Sequence, residues 1–123
     1  MKTVLVWTAL LIASAGAFPA NASPQTGLAS WYGESHRGRL MANHKRFDPN
    51  KLTAASWFYP LGTRLRVSLK DEPSRSVLVT VTDRGPAKDL VHNGRIIDLT
   101  HAAFKTLAPT DLGLVGVIVQ PAR

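Results

Sequence analysis

Between residues 64 and 82 the chain spells out two strands and the turn that joins them, and this pair constrains the fold more than any other stretch. From Arg64 to Leu69, basic or polar residues alternate with Leu65, Val67 and Leu69, the period of a half-buried strand. Lys70 to Ser74, with Asp71 and Pro73, supplies the connection, and Ser76 to Thr82 answers with a β-branched run. Shorter apolar runs at Leu28–Tyr32, Leu52–Ala55, Arg95–Leu99 and Leu114–Val119 read as further strands. Thr100 is a good N-cap for a two-turn helix carrying Ala102, Ala103, Phe104 and Leu107, ended by Pro109. About six short strands and one short helix make an all-β chain, and a small closed barrel fits that count better than a sandwich. From Gly33 to Lys51 the period is lost. A polar loop of that length is usually functional or disordered, and Tyr32, Phe47 and Trp57, placed to tie it down, favour the functional reading.

The first 22 residues read as an address. Lys2 gives a positive start, Val4 to Ala13 is apolar, Gly16 and Pro19 break any helix, and Ala20-Asn21-Ala22 offers a cleavage site after Ala22. Val4 to Phe18 is shorter than the roughly 20 apolar residues of a membrane-spanning helix. The expected product is periplasmic or secreted, with no stable membrane insertion. Residues 23–26 form a short lead, and a single domain covers 27–121.

There are no cysteines among the 123 residues. This excludes disulfide frameworks, thiolate zinc sites, a thiol nucleophile and a lipid-bearing N-terminal Cys. His36, His44, His92 and His101 show no ligand spacing, so no metal is expected. No dinucleotide, P-loop or Gly-x-Ser-x-Gly fingerprint occurs, so no cofactor is expected either. The 15 Lys+Arg against 8 Asp+Glu give a charge of +7, which suits an acidic wall polymer, an anionic membrane or nucleic acid. Export disfavours nucleic acid, and the cations are scattered along the chain rather than gathered in one run.

Three stretches stand out: Ala29-Ser-Trp-Tyr-Gly33 with His36-Arg-Gly-Arg39, Phe47-Asp-Pro-Asn50 with Leu52-Thr-Ala-Ala55, and Thr82-Asp-Arg-Gly-Pro86 with Arg95-Ile-Ile-Asp-Leu99. In this order and spacing they resemble the rare lipoprotein A (RlpA) family from about Gly27 to Val119. The resemblance implies a double-psi β-barrel and endolytic lytic transglycosylase activity on peptidoglycan glycan strands. Such an enzyme cleaves the MurNAc–GlcNAc β-1,4 bond without water and leaves a 1,6-anhydro-muramic end. One carboxyl can serve as acid and then as base, unlike the carboxylate pair of hydrolytic glycosidases.

Asp83 matches the family's Asp-Arg-Gly-Pro position and is the first candidate for that carboxyl. The competing reading is a turn cap paired with an arginine. Asp48 matches a second family acid and is the supporting catalytic candidate, against an Asx turn before Pro49. Tyr32, Glu34, His36 and Arg84 are the substrate-binding candidates, while Asp98 reads as structural near Thr100. Members of the family often carry Gly-Glu where this chain has His44-Lys45, His where it has Ser56, and Thr where it has Met41. Glu34 is the candidate to replace the missing carboxylate. With two family polar positions substituted, the alternative is a non-catalytic peptidoglycan-binding barrel.

Overall fold

The computed structural model describes residues 23–122; the leader reading falls on residues 1–22 and lies outside them. Six strands, β1 (Gln25–Tyr32), β2 (Thr53–Ala55), β3 (Arg64–Leu69), β4 (Ser76–Asp83), β5 (Arg95–Thr100) and β6 (Val115–Pro121), close into a barrel in the order β1-β5-β2-β4-β3-β6. β1/β5 and β2/β4 are parallel and the other four pairings are antiparallel.

The hairpin read from residues 64–82 is present, with Leu65 opposite Val79 and Val67 opposite Val77. All four are buried, and they meet Val81, Leu99, Val117 and Val119 in one core. Helix α1 (Lys88–His92) precedes β5, and α2 (His101–Leu107) follows it directly. α2 packs on β1, β4 and β5 and drives Phe104, fully buried, into the core. Truncating a buried ring of that size costs roughly 3–5 kcal/mol. Thr100 is its N-cap as expected: Oγ1 accepts from Ala103 N at 3.2 Å and donates to Lys51 O at 2.6 Å.

Two features were not expected from the sequence. β1 begins at Gln25, inside the segment read as a lead, because β6 runs on to Pro121 and sets Val119 opposite Gln25. α1 is a second helix, of five residues with no side-chain cap, too short to carry a helical period.

The 33–51 segment is ordered across the barrel mouth. Phe47 is buried and stacks on Tyr32 with ring centroids 4.3 Å apart. Backbone bonds join Gly38 N to Phe47 O (2.9 Å) and Phe47 N to Arg39 O (2.8 Å). Trp57 plays no part in that clamp; its Nε1 donates to Pro86 O instead.

Candidate active site

The barrel's register builds the site. Ser30 lies opposite Asp98, Asp98 opposite Ala55, and Ala55 opposite Asp83, so four residues form one row across β1, β5, β2 and β4. Two register shifts make that row. One falls between Leu28 and Ala29 against β5, the other between Ala54 and Ala55 against β4. Without them Ser30 would face Ile97, and Ala55 would face Thr82. Such irregularities re-aim side chains beside functional sites. Neighbouring strands lie about 4.8 Å apart, so the two aspartate backbones stand roughly 10 Å apart. Ala55, only a methyl, keeps the space between them open.

Each carboxylate is held. Asp83 Oδ1 accepts from Ala42 N and Arg84 N, both at 2.9 Å, and Oδ2 takes no part in that clamp. Asp98 accepts a short hydrogen bond from the Ser30 hydroxyl. Arg95 Nη2 donates to Ser30 Oγ at 2.8 Å and stands 3.7 Å from Asp98. Gly85 closes one side of the row. A Cβ there would come within 3.3 Å of Ala55 Cβ and 3.4 Å of Asp98 Oδ2, tight enough to push them aside.

Above the row is a cavity of about 280 Å³. Asp83, Asp98 and Ala55 line it, together with Tyr32, His36, Phe47, the Arg39–Met41 stretch and the Arg84–Ala87 turn. His36 meets the Tyr32 ring edge-on at 5.4 Å. The Tyr32 hydroxyl is buried without a hydrogen-bond partner. Burial pushes its pKa well above the ordinary phenol value, and the charges of Asp83 and then Asp98 push it further. The phenol is therefore a fixed, neutral donor beside two carboxylates.

The sequence candidates divide. Tyr32, His36, Asp83 and Arg84 come together at the cavity. Arg84 is also structural, since its Nη1 donates to Ser56 O and Tyr59 O, each at 2.7 Å. Glu34 lies elsewhere, in a depression with Trp31, Pro49, Asn50 and His101. Arg37 binds its carboxylate and holds its pKa below the usual range. Asp48 forms an Asx turn, accepting from Asn50 N at 2.9 Å with Arg37 at 3.6 Å, and does not line the cavity. Asp98 is the residue that sequence reasoning placed in the scaffold and the fold places in the cavity. Its signal was a lone carboxylate in a strand whose Ile96, Ile97 and Leu99 are all apolar and buried.

Three of the four substituted positions have local roles, and the side chain of Lys45 has no structural explanation. His44 adopts φ 70°, the left-handed region that favours glycine, and its N–H closes a turn onto Met41 O at 2.9 Å. Ser56 is buried, and its hydroxyl accepts from Phe58 N at 3.0 Å. Met41 accepts a 3.4 Å hydrogen bond from the Thr82 hydroxyl at its sulfur. Among the described residues no group of three or more His, Cys, Asp or Glu is arranged to hold a metal ion.

The fold and sequence have clear relatives. The Streptomyces papain inhibitor superposes with a TM-score of 0.66 at 27% identity, covering 87% of this chain and all of that one. A point mutant of the Clavibacter michiganensis expansin in complex with cellohexaose gives 0.58 at 18% identity over 81% of this chain and 50% of its own, a likeness of fold. A probable endolytic peptidoglycan transglycosylase RlpA from Synechocystis sp. is 39% identical over 116 residues, covering 91% of this chain and 34% of that protein. The endolytic peptidoglycan transglycosylase RlpA of Neisseria meningitidis is 38% identical over 96 residues, covering 78% of this chain and 38% of its own. The chain thus spans somewhat over a third of the length of these curated relatives. A family model described as "Lytic transglycolase" matches residues 24–119. On these sequence matches, over a barrel of the same type, the chain belongs to the RlpA-like double-psi β-barrel family of lytic transglycosylases.

Proposed function

We propose that this barrel cleaves peptidoglycan glycan strands at the MurNAc–GlcNAc β-1,4 bond as an exported lytic transglycosylase. The observation that carries the reading is the Asp83–Ala55–Asp98 row under the unpartnered Tyr32 hydroxyl. In this scheme the Asp83 carboxyl gives its proton to the glycosidic oxygen as the bond from muramic C1 breaks. The C6 hydroxyl of the same sugar then closes on C1, and its proton returns to Asp83, leaving the anhydro ring and an unchanged enzyme. Asp98, fixed by Ser30 and Arg95, faces the positive charge that develops on the sugar ring. Tyr32 donates to a sugar oxygen, His36 and Arg39 line the groove, and Arg84 holds the turn that presents Asp83.

A second reading has its own observation. Lys45 and Ser56 stand where the family resemblance implies Glu and His, and Ser56 is committed to a buried turn. A barrel that grips glycan without cutting it would show these features as well.

The deciding experiment is mass spectrometry of the products of peptidoglycan stripped of its stem peptides, for the wild-type chain beside Asp83→Asn. Anhydro-muropeptides from the wild type alone support the enzyme and its acid. Products from both proteins remove Asp83 from the mechanism. Retention on the wall with no products at all selects the binding module.

A further inference from the structure

Trp57 and Phe58 are each 42% exposed, whereas the other described aromatics, Trp31, Tyr32, Phe47, Tyr59 and Phe104, are buried or half-buried. The Trp57 ring is anchored rather than loose. Its Nε1 donates to Pro86 O at 2.6 Å, and Pro86 is part of the cavity wall. The backbone beneath it is pinned by Arg84 Nη1 on Ser56 O and by Phe58 N on Ser56 Oγ. Lys88, in the first turn of α1, holds its ammonium over one face of the Trp57 ring, 4.7 Å from the centroid. Next to the cavity wall the chain therefore carries an anchored, half-exposed aromatic surface, with a cation over one face of the indole and the rest of the ring open to a ligand.

We propose that Trp57, with Phe58 and Lys88, forms a second saccharide subsite, continuous with the cavity, that takes a neighbouring sugar of the same strand. This rests on the glycan reading above. The apolar C–H face of a pyranose packs on an indole ring, and the sugar's hydroxyls stay in water. Lys88 adds a charge suited to the free lactyl carboxylate that a muramyl unit carries once its stem peptide is gone. The chain's excess of cations points to the same acidic polymer.

The test is calorimetric titration of the otherwise wild-type chain, Trp57→Ala, Trp57→Phe and Lys88→Met, each also carrying Asp83→Asn so that the fragments are not cleaved, with two stem-peptide-free fragments. One is the GlcNAc–MurNAc disaccharide, too short to engage the cavity and Trp57 together in this proposal, and the other is a longer alternating oligosaccharide. Trp57→Ala is expected to weaken the long fragment about fivefold and leave the disaccharide unchanged, while Trp57→Phe keeps most of the affinity. Lys88→Met is expected to erase any preference for the alternating oligosaccharide over a chitin oligosaccharide of equal length, which lacks the carboxylate. If the wild type binds the long fragment and Trp57→Ala binds it equally well, or loses both fragments alike, the subsite is overturned and the cavity reading stands. If the wild type binds neither fragment, the glycan reading falls and the subsite with it. A dimer in sedimentation that Trp57→Ala dissolves would give these rings to a second copy of the chain and overturn the proposal.

Discussion

Four carboxylates named in the functional argument fall into two pairs with opposite fates. Asp83 and Asp98 sit on strands, in one register row, and line the cavity. Glu34 and Asp48 sit on the 33–51 segment, and both lean on Arg37. The loop acids have the more suggestive neighbours in sequence, beside Trp-Tyr-Gly and Phe-Asp-Pro. Yet a loop has to hold its own shape, and its polar side chains are the groups available to do so. Strand ladders hold themselves by backbone bonds, and Asp83 and Asp98, though each is hydrogen-bonded, still line the cavity.

The comparison breaks most sharply at the chemistry. Asp83→Asn is expected to cut anhydro-muropeptide release by at least about 100-fold, against less than about twofold for Asp48→Asn. Equal losses in a product assay would erase the distinction between strand and loop acids. Next in size is the gap between the two aspartates. Ala55→Leu fills it, and glycan affinity should fall by more than about tenfold while urea unfolding shows a loss of roughly 1–3 kcal/mol from overpacking. Unchanged affinity in a folded variant would mean that substrate does not pass over the row.

Tyr32→Phe probes the donor beside the same pair and separates stability from function. Removing a buried hydroxyl without a partner should stabilise the fold by about 1 kcal/mol while weakening glycan binding. It also carries a pH signature. The phenol's pKa in the folded chain lies above its ordinary value of 10.0, so its contribution to stability is complete below pH 10. That contribution falls as pH rises further, because only the unfolded chain then releases the proton. The drop in urea midpoint above pH 10 should be smaller in Tyr32→Phe than in the wild type. The smallest effect belongs to Glu34→Gln, which breaks an exposed pair with Arg37. Product release should change less than about twofold, and a large loss there would restore Glu34 as a catalytic group.

Much of the barrel was legible because its local signals are strong. The alternation over Arg64–Leu69, the β-branched run after Ser76 and the Thr100 cap each depend on a few adjacent residues. Asp83 was legible as the polar residue ending that run. The place of Asp98 at the cavity was not legible, because it depends on β1 pairing with β5 through a shift in register and on β2 pairing with β5 from the other side, and pairing over such distances leaves no trace in a local pattern. The placement of Glu34 and Asp48 away from the cavity was hidden for the matching reason, since Arg37 becomes their partner only once the segment folds. The positive φ of His44 shows how the 41–45 turn is made, with histidine adopting a conformation that glycine takes more easily.

The last strand has one more consequence. β6 pairs with both β1 and β3, so the ring of strands is complete only when residues 115–121 are in place. Ser30 on the first strand and Asp98 on the fifth are more than sixty positions apart along the chain. A ribosome must therefore release everything through Pro121 before the ring can close, although the strands that set the two aspartates across Ala55 are complete by Thr100. A protease that clips off β6 would expose the edges of β1 and β3 together, in a protein that has no disulfide to keep the ring shut.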